Sequence, residues 1–586
     1  MRLLAVLLAA TPLALTAAAP VPAPAVQAAG SFAAVSKRFF DGFRLSPVSA
    51  TQLGDHRYDA QLDDLSAQGR AARLAFAKQL LASLATVDRA ALSPDDRVDA
   101  ALLENALRYQ VWSAEVLQDW AWDTQLYSEV TGGALYGLAA RDYAPWPQRL
   151  KAATARMNAL PAMLAQVRAA LDPARVPLIY AQTAARQNSG MVQIAETMLA
   201  PHKGELAPAD AAAFDKALAT LKAAAAEHQN WLDTVLVPQA KGDFRIGAKL
   251  YDQKMAFALQ STLDRPTLKA RATKAAADTR AEMYAISREV LKDPAYPATG
   301  ATSAQQQAAI EAALEKSYAE RPARTEVIAD ARKTLAQATD FVRAKNLVTV
   351  PDAPVQIITM PEFRQGVAVA YCDSPGPLER NLPTFYAVSP IPKDWSDEQA
   401  TSFLREYNDY MIHDLSIHEA MPGHYLQIAH SNQDKSTLRA VLGSGPFVEG
   451  WAVYAERLMA DNNYLNGDPL FRLTVLKMRL RSITNTLLDI GIQTEGMTRE
   501  QAMELMMKGA FQQEREAAGK WVRAQLSSTQ LLSYFTGYLE HLDLRAEAER
   551  REGTGFQPKR YHDAVLSHGS PPAKYVRQLM WGAPAA

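Results

Sequence analysis

Apolar residues recur at spacings of three and four along the first half of the chain, a pattern typical of amphipathic helices. Ala, Leu, Arg, Gln and Glu, all good helix formers, dominate from Phe32 to about Asn346. One apolar stripe consists of Leu102, Leu103, Ala106, Leu107 and Val111. Ser93 followed by Pro94 has the chemistry of a helix start, with serine as the cap and proline in the first turn. We therefore predict a helical N-terminal region over residues 29–346.

The segment from Leu347 to Pro392 has a different pattern, with β-branched and aromatic residues between proline and glycine turns. Short strands are predicted around Val348, Val350, Val355, Ile357 and Ile358, then Val367, Val369 and Tyr371, and finally Phe385, Tyr386 and Val388. Helical periodicity returns at Ser396 and continues almost to the end of the chain. The prediction is a mostly α, large multi-helix protein. Residues 347–586 would form a catalytic region with a small β element and further helices, and this region would pack with the N-terminal helices as one integrated unit.

The charge balance excludes one class of partner. The chain has 586 residues with 62 Lys and Arg against 63 Asp and Glu. Nucleic-acid binding needs a basic surface that neutralises phosphates, so we expect no nucleic-acid partner. The only cysteine, Cys372, cannot form an internal disulfide. It lies in a turn-rich, loop-like sequence, where we expect a packed thiol rather than a nucleophile.

The N-terminus is predicted to be a cleavable signal peptide over residues 1–28. Arg2 supplies the positive charge, Leu3 to Ala19 form an apolar run, and Val26-Gln27-Ala28 provides a small-x-small cleavage site. The run is shorter than the ~20 residues of a membrane-spanning helix, and no cysteine follows it for lipid attachment. We expect a periplasmic or secreted protein without stable membrane insertion. The sequence does not indicate its oligomeric state.

Four of the ten histidines fall between His413 and His430, around the sequence His418-Glu419-Ala420-Met421-Pro422-Gly423-His424. A zinc peptidase places two neutral imidazoles on one metal and a carboxylate beside the first, usually as H-E-x-x-H on a helix. Here the second histidine follows six residues after the first, and an ideal helix would turn it about 120° away. We predict His418 and His424 as metal ligands if the helix is distorted between them.

Pro422 and Gly423 supply a means of distortion, because proline lacks an N–H and glycine permits unusual dihedral angles. The inserted pair could bulge outward and return His424 to the metal side. The alternative is that the helix ends at Met421 and that His424 is an ordinary polar residue. Spacing alone does not decide between these two interpretations.

A third metal ligand, Glu449, is expected on a helix that begins near Ser444 and has Pro446 in its first turn. Its neighbours are largely apolar, which argues against the alternative of a solvated carboxylate. Glu456, seven residues later, lies on the same helical face and suits a residue that orients a metal-bound histidine. Two imidazoles and one carboxylate are the ligand set of a catalytic Zn²⁺.

These two motifs, His-Glu-x-x-Pro-Gly-His and Glu-Gly-Trp-x-x-Tyr-x-Glu, resemble the bacterial family catalogued as domain of unknown function 885. The resemblance covers most of the chain after residue 28 and includes Ala50-Thr51-x-Leu53-Gly54-Asp55. That family is similar to the gluzincin peptidases, zinc enzymes with two histidines and a glutamate. Phe447-Val448-Glu449 with Glu456 also resembles the third-ligand helix of the thimet oligopeptidases. The resemblance implies a metallopeptidase-like fold with a substrate cleft.

The segment from Tyr534 to His541 resembles the Gly-Tyr helix of thimet-like peptidases, whose tyrosine hydroxyls face the substrate. The resemblance implies that Tyr538, with His541 on the same face, stabilises the oxyanion that hydrolysis builds. The alternative for Tyr538 is an ordinary half-buried aromatic. Arg545 is a candidate for binding a peptide C-terminal carboxylate. His568, in a marked turn, is a candidate for reaching the same site.

Together these residues predict zinc-dependent hydrolysis of peptide bonds in short peptides. Glu419 would take a proton from the attacking water and pass it to the leaving amine, while the metal polarises the carbonyl. Two alternatives remain: a noncatalytic binding protein with a relic metal site, and a metal-dependent hydrolase of a nonpeptide amide or ester. Dipeptidase, carboxypeptidase and endo-oligopeptidase activities also remain open. His413 and His430 match no motif and are expected to be helix or surface residues.

Overall fold

The computed structural model describes residues 31–353, 355–360, 370–379, 382–392, 395–434 and 436–582. The predicted signal peptide, residues 1–28, lies outside these ranges. Helices dominate on both sides of a small sheet, which confirms the predicted fold class of a mostly α protein. In the described part of the chain, no helix is both long enough and apolar enough to cross a lipid bilayer.

The N-terminal half is helical as far as Ala344, as its apolar periodicity predicts. Its helices are α1 (Phe32–Asp41), α2 (Pro47–Gln52), α3 (Ala67–Ala85), α4 (Pro94–Trp112), α5 (Thr124–Ala139), α6 (Trp146–Ala170), α7 (Leu178–Gln187), α8 (Gly190–Ile194), α9 (Pro208–Trp231), α10 (Val237–Gln239), α11 (Gly247–Leu259), α12 (Arg265–Leu291), α13 (Ser303–Ala319) and α14 (Val327–Ala344). The Ser93 side chain caps α4 and Pro94 opens it, as predicted. Helices α5 to α9 share one apolar core.

A three-stranded sheet follows, with β1 (Val355–Thr359), β2 (Ala370–Asp373) and β3 (Thr384–Val388) in the order β1-β3-β2. Strand β1 runs parallel to β3, and β2 runs antiparallel to it, so β2 is an edge of the described sheet. Cys372 therefore lies in a strand and not in the loop that its sequence suggested. The predicted strand at Val348 and Val350 is not formed: both residues precede β1 in irregular backbone, and Val348 is buried there in an apolar core without pairing to a described strand. Residues 367 and 369 lie outside the described ranges.

The rest of the chain is again helical and surrounds the predicted site. Its helices are α15 (Asp397–Glu406), α16 (Asp409–Glu419), α17 (His424–Ser431), α18 (Thr437–Val441), α19 (Gly445–Asp461), α20 (Pro469–Glu495), α21 (Arg499–Glu504), α22 (Glu514–Gln525), α23 (Leu532–Glu552), α24 (Pro558–Leu566) and α25 (Ala573–Trp581). The most extensive apolar core joins these helices to α11, α12 and α14. Residues on both sides of Asn346 therefore pack into one interior.

Helices α19 and α23 pack against each other through two glycines. A Cβ on Gly450 would overlap the backbone of Gly537, and a Cβ on Gly537 would overlap the carbonyl oxygen of Pro446. The two backbones are therefore closer than any side chain allows. This contact fixes α23 against the helix that carries Glu449.

We predict that Gly537→Ala lowers the free energy of unfolding by about 1–3 kcal/mol, the usual cost of forcing an extra methyl into a packed contact. Gly519→Ala is the matched control, since Gly519 lies exposed on α22 and a Cβ added there would have no atom within 4 Å. It should raise the free energy of unfolding by up to about 1 kcal/mol, because alanine favours helix. Urea unfolding measures both variants. Equal stability of the two would contradict the close helix contact.

Candidate metal centre

His418 and Glu419 are the last two residues of α16, a helix that begins with the Asn408 side chain as its cap. The helix ends there because Ala420 leaves the helical region, with φ −133° and ψ −72°. His424 is the first residue of α17. The two histidines therefore lie at the facing ends of separate helices, and the rotation of an ideal helix no longer separates them.

The turn between the helices, Ala420 to Gly423, is held in place by specific contacts. The N–H of Gly423 donates to the carbonyl of Ile417 at 2.9 Å, and a Cβ at Gly423 would overlap the carbonyl oxygen of His418. From α19, the indole N–H of Trp451 donates to the carbonyl of Pro422 at 2.8 Å. The predicted distortion at Pro422-Gly423 is present, although the helix ends at Glu419 and a second helix begins rather than one helix bulging.

The distorted turn leaves three potential ligands close together. Nε2 of His424 lies 3.5 Å from Oε2 of Glu449, and Nε2 of His418 lies 3.9 Å from the same oxygen. One donor atom from each of the three residues lies within 4.8 Å of the others. The imidazole rings are nearly perpendicular, with centroids 4.8 Å apart. Tetrahedral bonds of about 2.0–2.1 Å imply separations of about 3–4 Å between ligand atoms, and both distances to Glu449 fall in that range.

Glu456 lies behind His418, as the seven-residue spacing from Glu449 predicted. Its Oε1 is 2.6 Å from Nδ1 of His418, and the residue is only 2% exposed. Burial raises the pKa of Glu456 well above its usual value, and burial together with the charge of His424 lowers the pKa of His418 to about 4. With Nδ1 facing Glu456, the other ring nitrogen of His418 faces Glu449. A carboxyl behind an imidazole in this way fixes its ring orientation.

His424 and Glu449 interact electrostatically with each other. Burial opposes both charges, but the contact between the two groups raises the pKa of His424 and lowers the pKa of Glu449. The contact therefore favours the charged form of each group. A divalent cation among the same atoms would compensate the Glu449 carboxylate and would require His424 to be neutral.

Glu419 is anchored from the sheet. Its Oε2 accepts a hydrogen bond of 3.0 Å from the backbone N–H of Cys372 on β2. The Cys372 thiol contacts the Ser374 hydroxyl at 3.6 Å, and burial raises the pKa of the thiol. A protonated, buried thiol is a poor nucleophile, so the contribution of Cys372 to the site is its backbone N–H.

The other predicted site residues have partners outside the histidine–glutamate cluster. The hydroxyl of Tyr538 accepts from Arg457 at 3.0 Å, and Nε2 of His541 lies 2.9 Å from the carbonyl oxygen of Phe447. His541 therefore ties α23 to the start of α19. These contacts are with the helix framework and include none of His418, His424 or Glu449.

Arg545 and His568 are likewise engaged elsewhere. Arg545 donates to the Tyr454 hydroxyl at 3.1 Å and to Glu549 at 2.8 Å. The carbonyl of His568 accepts from Arg439 at 3.3 Å, and burial, with the charge of Arg439, lowers the pKa of the His568 imidazole. Neither side chain has a described contact with the histidine–glutamate cluster.

The remaining two histidines of the segment, His413 and His430, lie within helices α16 and α17. Nδ1 of His413 lies 3.0 Å from the Tyr464 hydroxyl. Nε2 of His430 lies 2.7 Å from the Thr349 carbonyl oxygen. Both stabilise contacts of helices α16 and α17 with their neighbours.

Sequence reasoning missed several residues that interact electrostatically with Glu449. Tyr534, one turn before Tyr538, is half-buried, and burial, followed by the charge of Glu449, raises its pKa. Arg523 on α22 donates to the Tyr534 hydroxyl at 3.2 Å, and its charge helps to lower the pKa of Glu449. Lys520 lies on the same helix. The spacing of Glu516, Lys520 and Arg523 was the available signal, since positions four and seven apart share a helix face.

The geometry defines a candidate divalent-metal centre of two imidazoles and a carboxylate, with a further carboxylate, Glu419, beside it. A family model described as "Bacterial protein of unknown function (DUF885)" matches residues 47–580. The chain belongs to this family. No curated protein matches the sequence.

Two solved structures are similar over nearly the whole chain. One is from Shewanella oneidensis and is described as a candidate lipoprotein of unknown function. It is 36% identical, covers 94% of this chain and 100% of its own, and has a TM-score of 0.79. The other, a candidate lipoprotein from Colwellia psychrerythraea, is 17% identical with a TM-score of 0.74, and the coverage is 95% and 100%. The second shows a shared fold alone.

We predict that Gly423→Ala loosens the turn and separates the two histidines, because its methyl group would overlap the His418 carbonyl. The free energy of unfolding should fall by about 1–3 kcal/mol. Stabilisation of the protein by added Zn²⁺, measured as a shift in melting temperature, should disappear. Gly443→Ala is the control, because the nearest atom to its Cβ would be Ser570 Cβ at 3.5 Å. A Gly423→Ala variant with the zinc response of the control would contradict the proposed role of the turn.

Proposed function

We propose that the protein is a zinc-dependent peptidase that hydrolyses peptide bonds in short peptides. One arrangement supports the proposal. Three potential ligands converge from three helices: His418, His424 and Glu449. Glu419 follows His418 directly in the chain, and a backbone N–H holds its carboxylate. Two imidazoles and a carboxylate leave a fourth zinc position open, as catalytic sites require. A purely structural zinc site has no need for a fixed carboxylate beside its first histidine.

The donor set fits zinc in chemistry and in spacing. Imidazole nitrogen and carboxylate oxygen are common zinc ligands, and the distances of 3.5 and 3.9 Å to Glu449 need only small side-chain rotations. Glu456 supplies the carboxyl that holds His418 by its other nitrogen. His424 has a buried Nδ1 without a hydrogen-bond partner among the described residues, so its orientation depends on Glu449 and on the turn.

When bound, zinc would polarise a carbonyl and lower the pKa of water. Glu419 is the group that would accept the proton of the attacking water and return it to the leaving amine. The N–H of Cys372 restrains the Glu419 carboxylate through one oxygen, and among the described residues the other oxygen has no hydrogen bond and suits proton transfer. Tyr534, rather than Tyr538, becomes the candidate donor to the negative charge that develops on the carbonyl oxygen. Its hydroxyl is polarised by Arg523 at 3.2 Å.

Strand β2 offers a docking edge for an extended peptide. It is the edge of the described sheet, and its Cys372 N–H points away from β3 toward Glu419. A peptide that lies along this edge could pair with backbone groups of β2 other than the Cys372 N–H, which Glu419 occupies. This mode of binding recognises the main chain rather than particular side chains. This supports peptides over nonpeptide amides or esters as the substrates.

We further propose that the protein acts outside the cytoplasm. The predicted signal peptide, residues 1–28, supports export. The 36% identical structure belongs to a protein described as a candidate lipoprotein, a class of exported proteins. A site that accepts short peptides would then serve nutrition or peptide turnover.

We predict that Glu419→Gln keeps about one zinc per chain but lowers kcat by about 10²–10⁴-fold, because the amide cannot accept a proton. Glu449→Ala should lose hydrolysis and also weaken zinc binding by at least about 100-fold, since it removes a direct ligand. Metal analysis and hydrolysis of a pooled peptide library measure both effects.

Glu504→Gln is the control for this pair, because Glu504 is exposed on α21. It should have the zinc content and turnover of the unmodified protein. Full turnover in Glu419→Gln would show that Glu419 is not the base. A zinc content in Glu449→Ala equal to that of the control would remove Glu449 from the ligand set.

A further inference from the structure

A cavity of about 760 Å³ lies among helices α2 and α5 to α9 of the N-terminal region. This volume is within the range of about 300–1,000 Å³ of sites that hold small molecules. None of the described residues that line the cavity belongs to the histidine–glutamate cluster. Polar side chains line it together with four buried apolar residues, Leu164, Val167, Leu171 and Leu232.

The wall of the cavity contains a buried histidine without a hydrogen-bond partner. His228 on α9 is only 7% exposed, and its Nδ1 is buried and unpaired. Its Nε2 likewise forms no hydrogen bond with any described residue. Burial, followed by the charge of Arg168, lowers the pKa of His228 to about 4, so the imidazole is neutral near neutral pH. A neutral imidazole has one donor and one acceptor nitrogen, and leaving buried polar groups unpaired destabilises a protein.

Asn188 adds a second unpaired group to the same wall. Its Nδ2 donates to the carbonyl of Ala225 at 2.9 Å and to Oε1 of Gln229 at 3.0 Å, which fixes the orientation of the amide. Its Oδ1 is buried and has no partner among the described residues. Ala225 and Gln229 lie on either side of His228 on α9, so the amide and the imidazole are close together. The cavity wall therefore combines an unpaired acceptor with a ring that can donate and accept.

Gly132 keeps part of the cavity free of side-chain atoms. It lies half-buried in the middle of α5, where glycine destabilises a helix relative to alanine. A Cβ added there would have no atom within 4 Å, so close packing does not require glycine at this position as it does at Gly537. The missing side chain instead leaves space in the cavity that Gly132 lines.

The cavity adjoins the sheet through Tyr136. This residue of α5 lines the cavity, and its hydroxyl donates to Oδ2 of Asp373 at 2.7 Å. Asp373 is the last residue of β2 and follows Cys372, whose N–H holds Glu419. A ligand in the cavity would thus lie next to the strand that offers a docking edge for an extended peptide.

We propose that this cavity binds a short peptide, with an amide group of the peptide bonded to His228 and Asn188 and an apolar side chain against Leu164 and Leu232. The choice of a peptide as the ligand rests on the proposed peptidase function, whereas the cavity and its unpaired groups do not depend on it. An amide carries one donor and one acceptor, which match the unpaired groups of the wall. Peptides combine such amides with apolar side chains, as the lining of the cavity does.

The test is calorimetric titration of trialanine and of trileucine into the metal-free full chain, so that neither zinc nor turnover is needed. Gly132→Leu should weaken binding by at least about 10-fold, because the leucine side chain occupies the space of the ligand. Gly132→Ala should retain binding and should be no less stable than the unmodified protein, since alanine favours helix. Gly519→Leu, the same change at an exposed position of α22 with no atom within 4 Å of its Cβ, is the control and should bind as the unmodified protein does.

His228→Phe tests the hydrogen bonds separately from the space. Phenylalanine keeps a ring at this position but offers no donor or acceptor, so binding should weaken by about 3–10-fold, the range of one neutral hydrogen bond. The melting temperature should equal or exceed that of the unmodified protein, because an apolar ring replaces an unpaired buried polar group. A loss of binding in this variant is therefore not a consequence of unfolding.

The outcomes separate this proposal from the peptidase proposal. Binding that weakens in Gly132→Leu and in His228→Phe supports the cavity as a peptide site even if no peptide is hydrolysed. The absence of binding at millimolar peptide would leave the cavity to water and overturn the proposal, even if the protein hydrolyses peptides. Binding that is unchanged in both variants would place the peptide elsewhere and overturn it as well. Binding of a hydrophobic dye but of neither peptide would assign the cavity to an apolar ligand, which also overturns it.

Discussion

The backbone of Gly423 lies so close to the carbonyl of His418 that no side chain fits between them, and the geometry of the candidate site depends on this contact. It allows α16 to end and α17 to begin within four residues, with a histidine at each facing end. The indole of Trp451 fixes the turn from α19, the helix that also carries Glu449. Trp451 thus links the position of the Glu449 carboxylate to that of the two imidazoles.

The next layer of contacts holds α19 itself. Gly450 and Gly537 bring α23 against it at backbone distance, and His541 joins the carbonyl of Phe447. Tyr534, near the start of α23, is thereby placed where the charge of Glu449 reaches it. The Glu-Gly-Trp sequence therefore has three separate physical uses: a candidate ligand, a close helix contact and a hydrogen bond to the turn.

Charge in the interior follows a simple pattern around this framework. Carboxyls at 449 and 456 lie against the two histidines, while Arg481, Lys520 and Arg523 lie on the side of α20 and α22. Buried charges of this number are costly unless they are paired. A divalent cation among the carboxylates would compensate the charge of Glu449 together with the two imidazoles.

The sequence pattern predicted those structural features that depend on residues close together in the chain. The Ser444 cap, the start of α19 at Gly445, the strands before the site and the break at Pro422-Gly423 all follow from propensity and turn chemistry. The same reasoning selected Tyr538 and Arg545 and did not single out Tyr534, whose interaction with the charge of Glu449 depends on tertiary packing. Tyr534 and Tyr538 are one turn apart on the same helix, so only the crossing of α23 over α19 distinguishes them. That crossing is a tertiary contact between glycines 87 residues apart, and no local pattern encodes it.

Anomalous diffraction from crystals grown with zinc would show whether His418, His424 and Glu449 hold a metal. We expect one strong peak at the zinc absorption edge, within about 2.0–2.2 Å of Nε2 of His418, Nε2 of His424 and a carboxylate oxygen of Glu449. The absence of a peak there, or a peak held by other residues while these three remain without metal, would rule out the metal centre.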